Sequence, residues 1–200
     1  MSSITDGLQW FVDTMEHADP VVTIATFLVL LVLAPLGTLV HEFGHAWVAR
    51  RYGAQVHEIV AAAEGPAVRF RIAGIPVRFG LHLGRDMRSR EPAGVMRSCV
   101  DSLSPDQAVR VLWAGPVAQL VFGAVVMVVA ALLGLPVLPT VLIALTGAQI
   151  VLAALLNLRS NGPPTSDGAR IANIRSWQRL IANGVAAPRP TVELLLPPRA

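Results

Sequence analysis

VVTIATFLVLLVLAPLGTLV occupies residues 21–40, and the motif HEFGH follows it directly at residues 41–45. A charge-free run of about 20 residues is long enough for a helix to cross a bilayer. On such a helix His41 and His45 are four residues apart and share one face, so both can hold one metal ion. Glu42 lies beside them, where it can act as a general base on water activated by the metal. The stretch therefore predicts a span that ends in a hydrolytic zinc site.

A simpler interpretation is that the two histidines only pack against their neighbours. Ionisable side chains at membrane depth are costly, and by default they mark function. This motif has three of them within five residues, and they need a metal or an equivalent partner. We therefore favour the metal site.

The composition is that of an integral membrane protein. Only 14% of the 200 residues are charged, whereas a soluble globular domain has about 25%. All 16 basic residues are arginine, which we attribute to codon bias, and we expect no nucleic-acid partner. The single cysteine, Cys99, excludes an internal disulfide and a cysteine-based zinc site.

The hydropathy pattern predicts an α-helical integral membrane protein, with a core of three transmembrane helices in one unit over residues 21–184. The second charge-free stretch, 111–158, is too long for one crossing, and Gly134, Pro136 and Pro139 divide it. The predicted spans are about 21–49, 108–133 and 140–158. Ser104 followed by proline and an acid is typical of a helix start before the second span.

The connection between the first two spans contains a predicted β-hairpin at about 67–84, because apolar and polar residues alternate on both sides of Gly74. Two interpretations stay open. The hairpin lies on the lipid headgroups with one apolar face, or its edge pairs with an unwound substrate segment. The stretch that follows, 85–104, is predicted to be a polar loop.

The remaining segments flank the core. Residues 1–20 contain four acids and no basic residue, so we expect an extracytoplasmic N-terminal segment and no signal peptide. Apolar residues on one face predict an interfacial helix at about 168–183, before a proline-rich tail at 185–200.

Arginine counts predict the orientation. Residues 50–110 hold ten arginines and the part from Arg159 onward holds six, whereas the N-terminal segment and the 134–139 turn hold none. The N-terminus should therefore be outside and the C-terminus cytoplasmic. His45 would then lie about 7 Å, and His41 about 13 Å, inside the cytoplasmic end of the first helix.

A catalytic zinc site usually has a third protein ligand and an open position. His17 is excluded because it falls on the outer side by the predicted orientation. His57, His82 and Asp167 are the candidates, and Asp167 has the simpler alternative of capping the helix that opens at Gly168.

Several motifs together resemble the site-2 protease family of intramembrane zinc metalloproteases, in a minimal form without a PDZ domain. The resemblance covers roughly residues 21–170. It is carried by H-E-x-x-H at the end of the first span, Gly115-Pro116 in the second, and Asn157 with Asp167-Gly168 closing the third. It implies that His41, His45 and Asp167 bind Zn²⁺, that Glu42 activates water, and that Asn157, Gly115 and Pro116 bind substrate.

The chain departs from the family pattern at two places. Gln119 stands where the family usually has asparagine, and Ser160 stands where it has proline, with Asp167 two residues further on than usual. Whether Asn157 or Asn161 fills the family role, and whether the altered spacing lowers activity, is left open by the sequence.

The resemblance implies a multi-pass enzyme of a bacterial-type cell membrane that hydrolyses peptide bonds in or near transmembrane segments of membrane proteins. The alternative is a catalytically inactive membrane scaffold of the same fold that binds partner membrane proteins. A metal-transport protein is disfavoured because few other ionisable residues fall within the spans. A regulatory membrane partner is compatible with either interpretation.

Overall fold

The computed structural model describes residues 19–61, 67–80, 94–99, 103–162 and 166–185, together with residues 7, 9 and 13. The elements in chain order are α1 (Pro20–Arg51), β1 (Gln55–Ala61), β2 (Ala67–Ile72), β3 (Ile75–Gly80), β4 (Gly94–Cys99), α2 (Pro105–Leu132), α3 (Val137–Asn157) and α4 (Asp167–Ala182).

Three of these helices, α1, α2 and α3, are long and apolar enough to cross a membrane. An 18-residue window of each helix has a mean hydropathy of 2.4, 2.2 and 2.1, and the helices contain 32, 28 and 21 residues. The prediction of a mainly helical chain with three such helices is confirmed. The predicted start of α2 is also confirmed, because the Ser104 hydroxyl accepts a hydrogen bond from the Gln107 amide at 3.3 Å.

The face of α1 that bears the histidines packs closely against α2. A Cβ atom at Gly44 would lie 2.9 Å from Cβ of Ala118 and 3.0 Å from the carbonyl carbon of Ala114. Only a residue without a side chain permits this approach. The close contact brings α2 next to the H-E-x-x-H motif.

The connection between α1 and α2 forms a four-stranded sheet with the order β2-β3-β1-β4. Strand β1 pairs parallel with β3 and antiparallel with β4. The predicted loop over 85–104 is therefore wrong at 94–99, where β4 takes its backbone hydrogen bonds from β1. Strand β1 was not predicted, because Ile59, Val60 and Ala61 are all buried and a strand buried on both faces does not alternate.

Strands β2 and β3 pair antiparallel through the two-residue turn Ala73-Gly74. Both turn residues have positive φ, 49° and 80°, as a tight hairpin turn requires. Residues 81–84 of the predicted hairpin lie outside the described residues. So do most of the predicted N-terminal segment and the tail beyond residue 185.

The core joins one face of the sheet to the C-terminal half of α1 and the N-terminal end of α2. Ile59, Ile75 and Val77 of the sheet pack with residues of α1 and α2. Ile171 and Ile174 of α4 are buried in the same cluster. The helix cap of α4 is Ser166, which accepts a hydrogen bond from the Ala169 amide at 3.3 Å. Asp167 is thus not the cap and is available for another role.

Candidate metal centre

His41 and His45 face the same direction from α1, as their spacing predicts. Their side chains are buried, with relative exposures of 7% and 3% for the residues. The Nε2 atoms of the two rings lie 3.1 Å apart. Two imidazole nitrogens therefore converge on one point inside the helix bundle.

Asp167 supplies a third atom at the same point. It is the first residue of α4, and its Oδ2 lies 3.1 Å from Nε2 of His41 and 3.4 Å from Nε2 of His45. The three residues form a buried group that could hold a metal ion. The first turn of α4 lies against the end of α3, because a Cβ atom at Gly168 would overlap with the backbone of Leu158 and Arg159.

The dimensions of this triangle fit a tetrahedral ion. Ligand bonds of about 2.0–2.1 Å to zinc give ligand-to-ligand edges of about 3.3–3.4 Å in a regular tetrahedron. The three edges formed by His41, His45 and Asp167 are 3.1, 3.1 and 3.4 Å. Three protein atoms occupy one face of such a tetrahedron and leave its fourth corner for water or substrate.

The hydrogen bonds of the two rings fix which nitrogen faces the triangle. Nδ1 of His41 donates to Oε1 of Gln119 at 2.9 Å, and Nδ1 of His45 donates to the carbonyl oxygen of Val111 at 2.7 Å. In the neutral imidazole Nε2 then carries the lone pair. Two nitrogen lone pairs and a carboxylate oxygen point at each other, and a shared cation removes this repulsion. Zinc-binding histidines commonly have such a partner on the second nitrogen.

Asn157, the last residue of α3, holds Asp167 in place. Its Nδ2 donates to Oδ2 of Asp167 at 2.6 Å, and its Oδ1 accepts from the Asp167 amide at 3.2 Å. Nδ2 also lies 3.3 Å from Nε2 of His41. The amide of Asn157 therefore fixes the orientation of the Asp167 carboxylate toward the two histidines.

Gly115 makes room for the ring of His45. A Cβ atom at Gly115 would overlap with Nε2 and Cε1 of that ring. The family's glycine position therefore has a packing reason in this chain. Substrate contact by Gly115 and by Pro116, which is fully buried in α2, stays a prediction.

Glu42 is buried with a relative exposure of 8%, on the turn of α1 that carries both histidines. A carboxylate so close to two metal-ligand candidates is suited to proton transfer at the site. Its role as the general base stays a prediction.

The other sequence candidates lie elsewhere. His57 is exposed on β1 and is not in the group found among the described residues, whereas His17 and His82 lie outside the described residues. Asn157 is at the site and Asn161 is exposed. Sequence reasoning missed the bond from His41 to Gln119. The sequence did contain one signal for this bond: Gln119 follows Gly115 by four residues, so the two residues share one face of α2.

These observations define a class of protein: one with three membrane-length helices and a buried histidine–histidine–aspartate group suited to a metal. The family described as Peptidase family M50 matches residues 25–188, which is most of the chain. The chain therefore belongs to Peptidase family M50, the site-2 protease family, and is a membrane protein of a metalloprotease family. No solved structure matches the chain.

Gln119→Leu is expected to weaken zinc binding by about 10- to 100-fold, the usual cost of removing the hydrogen-bond partner of a ligand histidine. Leucine fills the space but leaves the Nδ1 hydrogen of His41 without its acceptor. Chelator competition in detergent measures the change. Gln149→Leu, the same substitution at an exposed position of α3, is the control. Equal zinc affinity in Gln119→Leu and wild type would show that this hydrogen bond does not support the metal.

Asn157→Ala is expected to weaken zinc binding by about 10- to 100-fold, because Asp167 loses the side chain that orients its carboxylate. Asn161→Ala should bind zinc like wild type. The same competition assay decides between the two asparagines. A loss confined to Asn161→Ala would assign the family role to Asn161 instead.

Proposed function

We propose that this chain is an intramembrane zinc metalloprotease that hydrolyses peptide bonds in or near transmembrane segments of membrane proteins. The observation that carries the proposal is the buried triangle of His41, His45 and Asp167, whose dimensions fit three ligands of one zinc ion. Membership of Peptidase family M50 and the adjacent Glu42 support the same reaction.

The proposed chemistry divides between the metal and the chain. His41, His45 and Asp167 would hold Zn²⁺, which supplies a Lewis acid that polarises a carbonyl group and makes water more acidic. Glu42 takes the proton of the attacking water and delivers it to the leaving amine. Gln119, Val111 and Asn157 keep the three ligand atoms converged, so that little rearrangement is needed when reactants bind.

We propose that the N-terminus lies outside and the C-terminus in the cytoplasm of a bacterial-type cell membrane, as the arginine counts predict. The end of α1 supports a boundary near the site. Trp47 is 45% exposed and the guanidinium carbon of Arg51 lies 5.4 Å from the centroid of its ring. Exposed tryptophan with arginine is typical of the membrane–water interface. The site then lies just inside the cytoplasmic face.

The substrate must unwind before it can be cut, because the backbone of a transmembrane helix is fully hydrogen-bonded. Strand β2 is an outer strand of the sheet, and its Val68 and Phe70 are 66% and 38% exposed. We propose that an unwound segment pairs with this edge in an extended form. A regulatory membrane partner is compatible with the same surface.

The test uses two single-span model substrates in proteoliposomes with the zinc-loaded chain. One has an all-leucine span, and the other has Asn-Pro near its centre, which weakens the helix. We expect cleavage of the second substrate within or next to its span, lost with a chelator and restored by zinc. Binding of both substrates without any cleavage by the zinc-loaded chain would favour the inactive scaffold.

A further inference from the structure

One face of the hairpin β2–β3 carries three arginines. Arg69 pairs directly with Arg78 across the two strands, and Arg71 lies on the same face two residues along β2. Val60 of β1 pairs with Arg78 and continues the face. In strands β1 to β3 this face has one acidic residue, Glu58, against three arginines, so its net charge is positive. Arg69, Arg71 and Arg78 together form the arginine face.

The arginine face places two positive charges directly opposite each other, at Arg69 and Arg78. Like charges directly opposite each other on neighbouring strands destabilise a sheet. Arg69 and Arg71 are exposed, and Nε of Arg78 is buried without a hydrogen-bond partner among the described residues. Strands β2 and β3 contain no acidic residue, so the hairpin itself supplies no negative charge to offset this pair.

The position of the hairpin indicates where that acceptor comes from. Its turn is fixed to the end of α1, because Nη1 of Arg50 donates to the carbonyl oxygen of Ala73 at 2.5 Å. Trp47 and Arg51 lie in the same last turns of α1 and mark the proposed membrane boundary. The opposite face of the hairpin is apolar, with Ile75 and Val77 buried in the core. The proposed membrane boundary at the end of α1 therefore puts the hairpin turn, and the arginine face beside it, near the lipid headgroups.

We propose that the arginine face is a binding site for the phosphate groups of anionic phospholipids. Guanidinium groups pair with phosphate through two parallel hydrogen bonds, and paired arginines are suited to one phosphate between them. An anionic headgroup offsets the repulsion between Arg69 and Arg78. The bound lipid holds the hairpin, and with it the β2 edge, against the membrane surface.

The experiment titrates phosphatidylglycerol and phosphatidylcholine into the full-length protein in detergent and counts bound lipids by native mass spectrometry. Each arginine near an anionic surface contributes about fivefold in affinity. R69Q/R71Q/R78Q should therefore weaken the tightest phosphatidylglycerol site by roughly 100-fold. R69Q/R71Q changes only exposed side chains and should weaken this site by roughly 25-fold. It keeps the test valid if the triple variant does not fold.

The matched control R159Q/R175Q/R179Q removes the same charge from exposed positions outside the sheet. It should keep the phosphatidylglycerol affinity of wild type, and phosphatidylcholine binding should not change in any variant. Equal weakening in the control would show that overall charge, not this face, binds the lipid. Unchanged binding in R69Q/R71Q, or equal affinity of the wild type for both lipids, would overturn the proposal.

Discussion

Glu42→Gln is expected to keep zinc and to lower the rate of peptide hydrolysis by about 10²- to 10⁴-fold, the usual contribution of a positioned acid–base group. Glutamine has nearly the shape of glutamate but cannot accept the proton of the attacking water. The ligand triangle of His41, His45 and Asp167 does not include Glu42, so metal binding should survive. Cleavage rate and zinc content are measured on the same purified sample.

The control for this substitution is Glu193→Gln in the C-terminal tail, which removes the same charge far along the sequence. It should cleave and bind zinc like wild type. Normal cleavage by Glu42→Gln would exclude the proposed base. Loss of zinc from Glu42→Gln would mean that Glu42 is part of the metal site.

Gly115→Ala is expected to lower zinc affinity by more than about 100-fold, a larger effect than that of losing a ligand's hydrogen-bond partner. The new methyl group would overlap with the ring of His45. That ring cannot move aside easily, because its Nδ1 is bound to the carbonyl oxygen of Val111 at 2.7 Å. Chelator competition measures the zinc affinity, and thermal unfolding in detergent reports general damage.

Gly123→Ala in the same helix is the matched control. A Cβ there would lie 2.8 Å from the carbonyl oxygen of Gly147 and from Cγ2 of Val151, on the contact between α2 and α3 away from the histidines. It should lower thermal stability and keep the zinc affinity. Similar zinc loss in both variants would mean that helix packing in general, rather than the space for His45, controls the metal site.

The spans and two of the three candidate ligands could be predicted because local sequence encodes them. Twenty charge-free residues specify a membrane-length helix in any context. The four-residue spacing of His41 and His45 places both on one helix face without reference to the rest of the chain. The capping of α2 by Ser104 is equally local.

The sheet and the support of the ligands depend on distant residues and were largely not predicted. The last three residues of β1 are buried on both faces and do not alternate, and β4 is defined by its pairing with β1. Gln119 contacts His41 across 78 positions of sequence. No pattern within one segment carries such a contact, so only the packing of α1 against α2 reveals it.

Asp167 could be predicted only in part from the sequence. The residues alone left His57 and His82 beside it as candidates, and its spacing from Asn157 departs from the family pattern. The structure brings Asn157 and Asp167 together through two hydrogen bonds although ten positions separate them. The carboxylate of Asp167 therefore reaches the histidines despite its longer spacing from Asn157.

The proposed site requires that His41, His45 and Asp167 together hold one zinc ion. Metal analysis of the detergent-purified wild type, His45→Ala, Asp167→Ala and His57→Ala is the test. About one zinc per chain is expected in the wild type and in His57→Ala, with loss or loosening in the other two variants. Absence of zinc from the wild type under non-chelating conditions, or its full retention in Asp167→Ala, would exclude this site.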